Sequence, residues 1–269
     1  MRIQRIIVTG ASSGMGKSIC DALRKHGYHV IGISRSMERL EAEGFHGFPC
    51  DIHKPDEIAR CIEYVAQHIG PIHGLINAAG VGFIGSMEDT SLQEAREVFE
   101  TNTFGVFNMC RAVIPMMRSQ RSGIIINITS LAGRIGLPYR GIYAASKFAV
   151  EGFSESMSQE LQQFGIRVVI LEPGDFNTPI NQHRKVVREV HPEYQDQHDA
   201  IARQISAEVH AAPDPAAVAS VVLRILKSSN PPLRYQVGNF IQRASVMIKA
   251  IIPSRWFERL VMKRYKMRN

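Results

Sequence analysis

"VTGASSGMGKS", residues 8 to 18, stands between an apolar run and a helical pattern. The run that leads into it, "RIIVTG", is apolar without alternation, as a strand covered on both faces must be. "GMGKSICDALRKHG", which follows, spaces its apolar residues as a helix does. The stretch is therefore a strand-to-helix turn. Gly10 allows a tight exit from the strand, Gly14 lets backbone approach a ligand closely, and Gly16 lets the helix lie against the sheet. With Ser12, Ser13 and Met15 they present the free N–H groups of a helix start, a receptor for a pyrophosphate.

The same alternation continues outward. "YHVIGIS" reads as a second strand, "SMERLEAEG" as a helix, "GFPCD" as a short strand, and "PDEIARCIEYVAQHIG" as a helix begun by Pro55. A strand "IHGLINAAG" precedes one long helix from about Ser91 to Arg118. "GIIINITS", a helix carrying Tyr143, and "IRVVILEPG" complete the core pattern. Strands alternating with helices predict an α/β fold: a single-domain, doubly wound parallel sheet with ligands beyond the carboxyl ends of its strands. Residues 175 to 215 are polar and helix-prone, and are read as a helical cover over the substrate. "AAVASVVLRIL" and "LRYQVG" supply a last helix and strand, so the domain spans 1 to 240. Residues 241 to 269 form a basic amphipathic extension.

Composition limits the alternatives. Of 269 residues 45% are hydrophobic and 21% charged, a globular balance without a disordered signature. Cys20, Cys50, Cys61 and Cys110 form no CxxC pair and no zinc spacing, so no metal site is expected, and the thiols suit a reducing cytoplasmic compartment. With "MRIQRIIVTG" running straight into the first strand no cleavable leader is expected, and no run of about 18 apolar residues suggests a span. The net charge of +7 gathers toward "SRWFERLVMKRYKMRN" and has no nucleic-acid motif behind it. Its apolar residues Trp256, Phe257, Leu260, Val261 and Met262 are read as packing on the protein itself or on a partner subunit. Contact with an anionic membrane is the lesser alternative.

In "GIYAASKFAV" Tyr143 stands four residues before Lys147, one turn along the same helix face. An ammonium so placed favours the phenolate and equips the tyrosine to exchange a proton. Taken together, Thr9, Gly10, Gly14 and Gly16, the "NAAG" of Asn77 to Gly80, Asn102, Ser130, Tyr143 with Lys147, and the "PGDFNT" holding Pro173, Gly174 and Thr178 fall in one order, with the glycine turn, "NAAG", Ser130 and "PGDFNT" at strand ends. In these signatures the chain resembles the short-chain dehydrogenase/reductases over roughly residues 3 to 240, and its "YAASKFAVEGFSESMSQEL" is similar to the hydroxysteroid and retinol dehydrogenase branch.

The resemblance implies a nicotinamide cofactor and a catalytic set. Tyr143 is then the proton donor or acceptor and Lys147 the charge beside it, also holding the nicotinamide ribose. Ser130 orients the substrate oxygen, and Asn102 holds a water. The dinucleotide would lie along Gly10, Ser12, Ser13, Gly14, Met15, Gly16, Asn77, Ala78, Ala79, Gly80, Tyr143, Lys147, Pro173, Gly174, Phe176 and Thr178, with Asp51 and Ile52 flanking the adenine. Ser34 followed by Arg35 ends the second strand with a guanidinium in place of an acid, which favours NADP over NAD. Leu131, Ile135, Leu137, Tyr139 and Ile180 are candidate walls for a lipophilic, steroid- or retinoid-like ketone or alcohol. A β-ketoacyl substrate is the second choice, and a cofactor-binding regulator without turnover the reading of a different class. The resemblance also implies a homodimer or homotetramer built on the helices that carry Asn102 and Tyr143.

Overall fold

A computed structural model describes residues 5 to 178 and 184 to 267. Strand β1 (Arg5–Thr9) shows why a parallel sheet forms: Ile6, Ile7 and Val8 are all fully buried, yet they point to alternate faces. Ile6 and Val8 pack with Ile19 and Leu23 of α1 (Gly14–Lys25) and with Val222 and Ile225 of α7 (Ala216–Lys227). Ile7 packs on the other face with α2 (Pro55–Tyr64) and with Met109 and Val113 of α4 (Gly105–Ser119). A helix layer covers each face, as the uninterrupted apolar run requires.

The sheet runs β10-β8-β7-β5-β1-β2-β4-β3. Its members are β2 (His29–Ser34), β3 (Leu40–Ala42), β4 (Phe45–Pro49), β5 (Gly74–Asn77), β7 (Gly123–Ile128), β8 (Ile166–Pro173) and β10 (Arg234–Val237). All neighbours are parallel except β3 and β4. β1 pairs with β2 on one side and with β5 on the other, so the chain reverses direction across the sheet there. That reversal opens a crevice at the carboxyl ends of β1 and β5.

Three local expectations change. Residues 36 to 44 are not a helix: β3 turns at Gly44, with φ +69°, and pairs back on β4 at the sheet edge. Of the segment's apolar side chains only Met37 packs on the core, too little apolar surface to hold a helix on the sheet. The helix from Ser91 to Arg118 is interrupted. α3 (Leu92–Phe99), opened by a capping box between Ser91 and Glu94, passes through a π-helical turn at Glu100–Phe104 before α4 begins. A similar π-helical turn at Val65–Ile69 ends the helix begun by Pro55.

The region after Gly174 is better packed than a loose cover. β6 (Phe83–Ile84) pairs with β9 (Lys185–Val186) outside the main sheet. α6 (Pro192–His210) buries Ile201, Ile205 and Val209 against Ile84 and Tyr265. Tyr265 follows α8 (Phe240–Ile251) and α9 (Ser254–Arg264), which return over the domain. Val246 and Phe257 of these helices pack with Leu131 and Ile135 of the segment after β7. Among the apolar residues of the extension Phe257 is buried on the chain itself, whereas Trp256 and Leu260 remain 66% and 52% exposed.

Candidate active site

The glycines of the first turn are fixed by what surrounds them. A Cβ on Gly16 would stand 2.2 Å from the carbonyl oxygen of Gly10, and one on Gly10, at φ +68°, would stand 2.9 Å from Ala79 Cα. The turn is thus pressed against the "NAAG" segment, where Thr9 Oγ1 accepts from the N–H groups of Ala78 and Ala79, each at 3.1 Å. Ser13 begins α1 without a side-chain cap, and no carboxylate stands in the helix's first turn. An uncapped, positive helix end therefore faces the crevice. The crevice encloses a groove of about 150 Å³ that runs from Gly10, Ser13, Gly14, Met15 and Gly16 past Ala78, Ala79 and Gly80 to Ser130, Tyr143, Lys147, Pro173, Gly174 and Thr178. The hydroxyls of Ser34 and Thr178 are buried without a partner among the described residues. A glycine cradle, an open helix N-terminus and an unpartnered Thr178 Oγ1 in the wall fit a bound dinucleotide.

Not every sequence-predicted cofactor residue lies in that groove. Asn77 is turned inward, donating to Asn127 Oδ1 at 2.9 Å and to Cys110 Sγ at 3.4 Å. Ile52 packs on α4 beside Gly105 and Asp51 Oδ1 accepts from the His53 N–H at 3.1 Å, both at the end of β4 and outside the lining of that groove. Arg35 is exposed in the turn after β2. That turn is tied to the glycine loop by Ser36 Oγ donating to Ser12 Oγ at 3.2 Å, a contact with no signature in the sequence. Phe176 is core, 3% exposed, and borders a smaller hollow beside Tyr143.

The four proposed catalytic groups converge at the far end of the groove. Ser130 leaves β7 and caps a short 3-10 turn, accepting from Ala132 N–H at 3.1 Å and donating to Pro173 O at 3.3 Å. Tyr143 and Lys147 lie on one face of α5 (Gly141–Gln162), both buried, and Lys147 Nζ donates to Ile128 O at 3.2 Å. Burial pushes the Lys147 ammonium below the usual lysine range, while Tyr143 and Glu151 act in the opposite sense. Asn102 sits in the π-helical turn with no exposure. It accepts from Val81 N–H at 2.8 Å and donates to Val81 O and to Ser146 Oγ, both at 3.0 Å. It thereby clamps the wall beside Gly80, the residue that approaches Lys147 Nζ.

A buried charge network behind this end escaped sequence reading. Glu151, one turn beyond Lys147, accepts from Thr129 Oγ1 at 2.6 Å and from Arg234 Nε at 3.2 Å. Glu172, with no exposure, meets Arg234 Nε and Arg134 Nη1 at 3.3 Å and accepts from Gln236 at 2.9 Å. The i, i+4 spacing of Lys147 and Glu151 was the available signal; the partners came from distant strands. Burial, reinforced by Glu172, pushes the Glu151 carboxyl up from its ordinary 4.5 to about 6. The folded chain then retains a proton that the unfolded chain has released. The stability from this group is full below about pH 4.5 and is lost as pH rises through 6, a change of about 2 kcal/mol. Urea unfolding at pH 4.5 and pH 7 should register that loss in the natural chain and not in Glu151→Gln.

On the other side of Ser130 opens a mostly apolar cavity of about 130 Å³. Leu131, Ile135 and Leu137 line it as expected, but so do Ile241, Phe257 and Val261 of the C-terminal helices, with Arg140 and Asp175 at the Ser130 end. Gln242 of α8 holds this arrangement by donating to Asp175 Oδ2 at 2.6 Å, its side chain lying where a Cβ on Gly174 would be. Tyr139 is not part of the wall. Its φ of +56° turns it toward Tyr194 and His198, and its carbonyl accepts from Gly85 N–H at 2.9 Å. Ile180 lies outside the described residues. Among those residues no cluster of His, Cys, Asp and Glu could hold a metal ion.

A glycine-cradled groove that ends at Ser130, Tyr143 and Lys147, and shares Ser130 and Gly174 with an apolar cavity, is an arrangement suited to an oxidoreductase. The family model for short chain dehydrogenase matches residues 4 to 188, and the chain belongs to that family. It is 36% identical over 256 residues to the 3-ketodihydrosphingosine reductase of Bacteroides thetaiotaomicron, covering 94% of each chain. It is 30% identical over 274 residues to retinol dehydrogenase 8 of Bos taurus, covering 93% of this chain and 86% of that one. A short-chain dehydrogenase from Streptomyces avermitilis superposes with a TM-score of 0.81 at 29% identity, over 98% of this chain and 97% of the other.

Proposed function

We propose that the chain reduces a ketone on a lipophilic, amphiphilic molecule, with NADPH as the hydride source. The observation that carries this reading is the apolar cavity that shares Ser130 and Gly174 with the dinucleotide groove, with charged Arg140 and Asp175 placed at the shared end. Such a cavity accepts an alkyl or ring body and leaves the polar part of the substrate at the reacting groups. Similarity to a 3-ketodihydrosphingosine reductase and to a retinol dehydrogenase supports the same substrate character, and favours a long-chain amino ketone as the first molecule to try.

The residues divide the work. Ser130 Oγ, anchored by Ala132 N–H, is free to turn its own O–H from Pro173 O to the substrate oxygen. Tyr143 transfers its phenolic proton to that oxygen as negative charge builds there, and Lys147 one turn away balances the phenolate left behind. Bound at the groove, the nicotinamide supplies the hydride. Asn102 keeps the Gly80–Val81 wall in place. A panel of long-chain amino ketones, steroid ketones, retinal and β-ketoacyl thioesters, followed by NADPH absorbance, tests the reading. Turnover confined to thioesters would overturn the substrate class.

The preference for NADPH rests on Arg35, exposed beside Ser12 and Ser36, and on the absence of an acid at Ser34. Arg35→Asp should move the NADPH/NADH ratio of kcat/KM toward NADH by about 100-fold, through loss of a charge-assisted contact and gain of a repulsive charge. An unchanged ratio would contradict the assignment. Exposed Phe104, Phe107 and Phe148 on the helices that carry Asn102 and Tyr143 support a homo-oligomer joined there. No helix among the described residues is long and apolar enough to cross a membrane.

A further inference from the structure

The C-terminal helices carry a surface that the reaction does not use. From Phe240 to Asn269 the sequence has eight Lys and Arg against the single acid Glu258, which equals the net +7 of the whole chain, so residues 1 to 239 are electrically balanced. On the same helices Phe240, Ile241, Met247, Ile251, Trp256 and Leu260 are 52 to 78% exposed. Phe240, Met247 and Ile251 recur at the spacing of one helix face, opposite the inward Val246. Arg243, Arg259, Lys263 and Lys266 have no carboxylate partner among the described residues.

A solvated helix face would not gather so many large apolar side chains. A second copy seated on this face would cover them, but would bring two strongly positive surfaces together. An anionic bilayer satisfies both features at once, taking the apolar side chains into the acyl boundary and the cations among its head groups. The cavity supplies an independent reason. Ile241, 72% exposed, also lines it, and Phe257 and Val261 of α9 close its wall, so the apolar surface is continuous with the cavity that receives the substrate.

We propose that α8 and α9 dock this protein on the surface of an anionic phospholipid bilayer, with the mouth of the apolar cavity toward the lipid. Docking itself does not depend on the substrate reading; only the consequence that substrate enters from the bilayer rests on it.

Trp256 is the only tryptophan in the chain and is 66% exposed at the start of α9, so it reports on this face directly. The full chain is mixed with vesicles of phosphatidylcholine and phosphatidylglycerol in equal parts, and separately with phosphatidylcholine alone. Expected are co-flotation with the anionic vesicles at least about tenfold stronger than with the neutral ones, weakening as salt rises, and a blue shift of Trp256 emission on binding. Phe240→Ser with Ile251→Ser, both outside the cavity wall, should lose vesicle binding about tenfold or more and keep turnover of a water-soluble ketone. The proposal is overturned if anionic vesicles neither float the chain nor shift Trp256. It is equally overturned if the face proves to be covered by a second copy, shown by Leu260→Asp splitting an oligomer whose tryptophan ignores vesicles. Vesicle binding is read without substrate, so its failure would leave the reductase reading standing, and failure of turnover would leave docking standing.

Discussion

Tyr143→Phe is expected to fold, bind NADPH and turn over at about one thousandth of the natural rate or less. The ring of Tyr143 is buried among Phe83, Val98, Ala132 and Val187, with the Arg140 guanidinium 5.3 Å from its centroid, and phenylalanine keeps those contacts. Among the described residues no hydrogen bond is made by its phenolic oxygen, so the hydroxyl contributes little to holding the fold. Its loss removes the proton donor alone, an effect of about 100- to 10,000-fold on turnover. Because Ser130 and Lys147 keep their own anchors, at Ala132 and at Ile128, the substrate oxygen should still be oriented and KM should move less than kcat. Steady-state kinetics, a thermal melt and NADPH titration separate the outcomes. Retention of more than about a tenth of kcat would assign the proton to another group.

Arg234→Met is expected to destabilise the fold by about 3 to 5 kcal/mol near pH 8 and by less near pH 5. The guanidinium bridges Glu151 and Glu172, which are 5% and 0% exposed, and also pairs with Glu155 at the surface. Without it two buried carboxylates remain, with Arg134 the one cation left on Glu172 among the described residues. Protonation of Glu151, already pushed up to about 6 by burial, relieves that conflict in acid, hence the pH dependence. The same network fixes Thr129 beside Ser130 and Glu172 beside Pro173, so turnover should also fall by weakening the placement of Ser130. Urea unfolding at the two pH values measures the effect. A loss below about 1 kcal/mol, equal at both, would show that the network is not what holds these strand ends.

What the sequence reveals here follows from how local each cause is. The run Ile6, Ile7, Val8 can be buried only between two helix layers, and Gly10 and Gly16 are demanded by contacts made within the first turn and with the adjoining strand. Tyr143 and Lys147 declare themselves because four residues is one helical turn. The segment 36 to 44 misleads because its charged residues suit a solvated helix, and only the open edge of β4 turns it into a strand. The π-helical turn at Asn102 is a slip of hydrogen bonds with no compositional mark, yet it is what aims Asn102 at Val81. Tyr139, a candidate for the cavity wall in the sequence, is turned away from it by its positive φ. Phe257 and Gln242 reach the site from about 80 and 70 residues beyond Pro173 by way of tertiary packing that no spacing encodes. Asn77 carried a family role, but its side chain is spent on Asn127 and Cys110 inside the sheet.

The reaction proposed for this site is the reduction of a lipophilic ketone by NADPH. Incubating the full chain with NADPH and a long-chain amino ketone, and following loss of nicotinamide absorbance together with the alcohol by mass spectrometry, tests it most directly. Equal amounts of NADPH consumed and alcohol formed are expected, with NADH markedly poorer. Tight NADPH binding with no alcohol from this ketone, from steroid ketones or from retinal would contradict it.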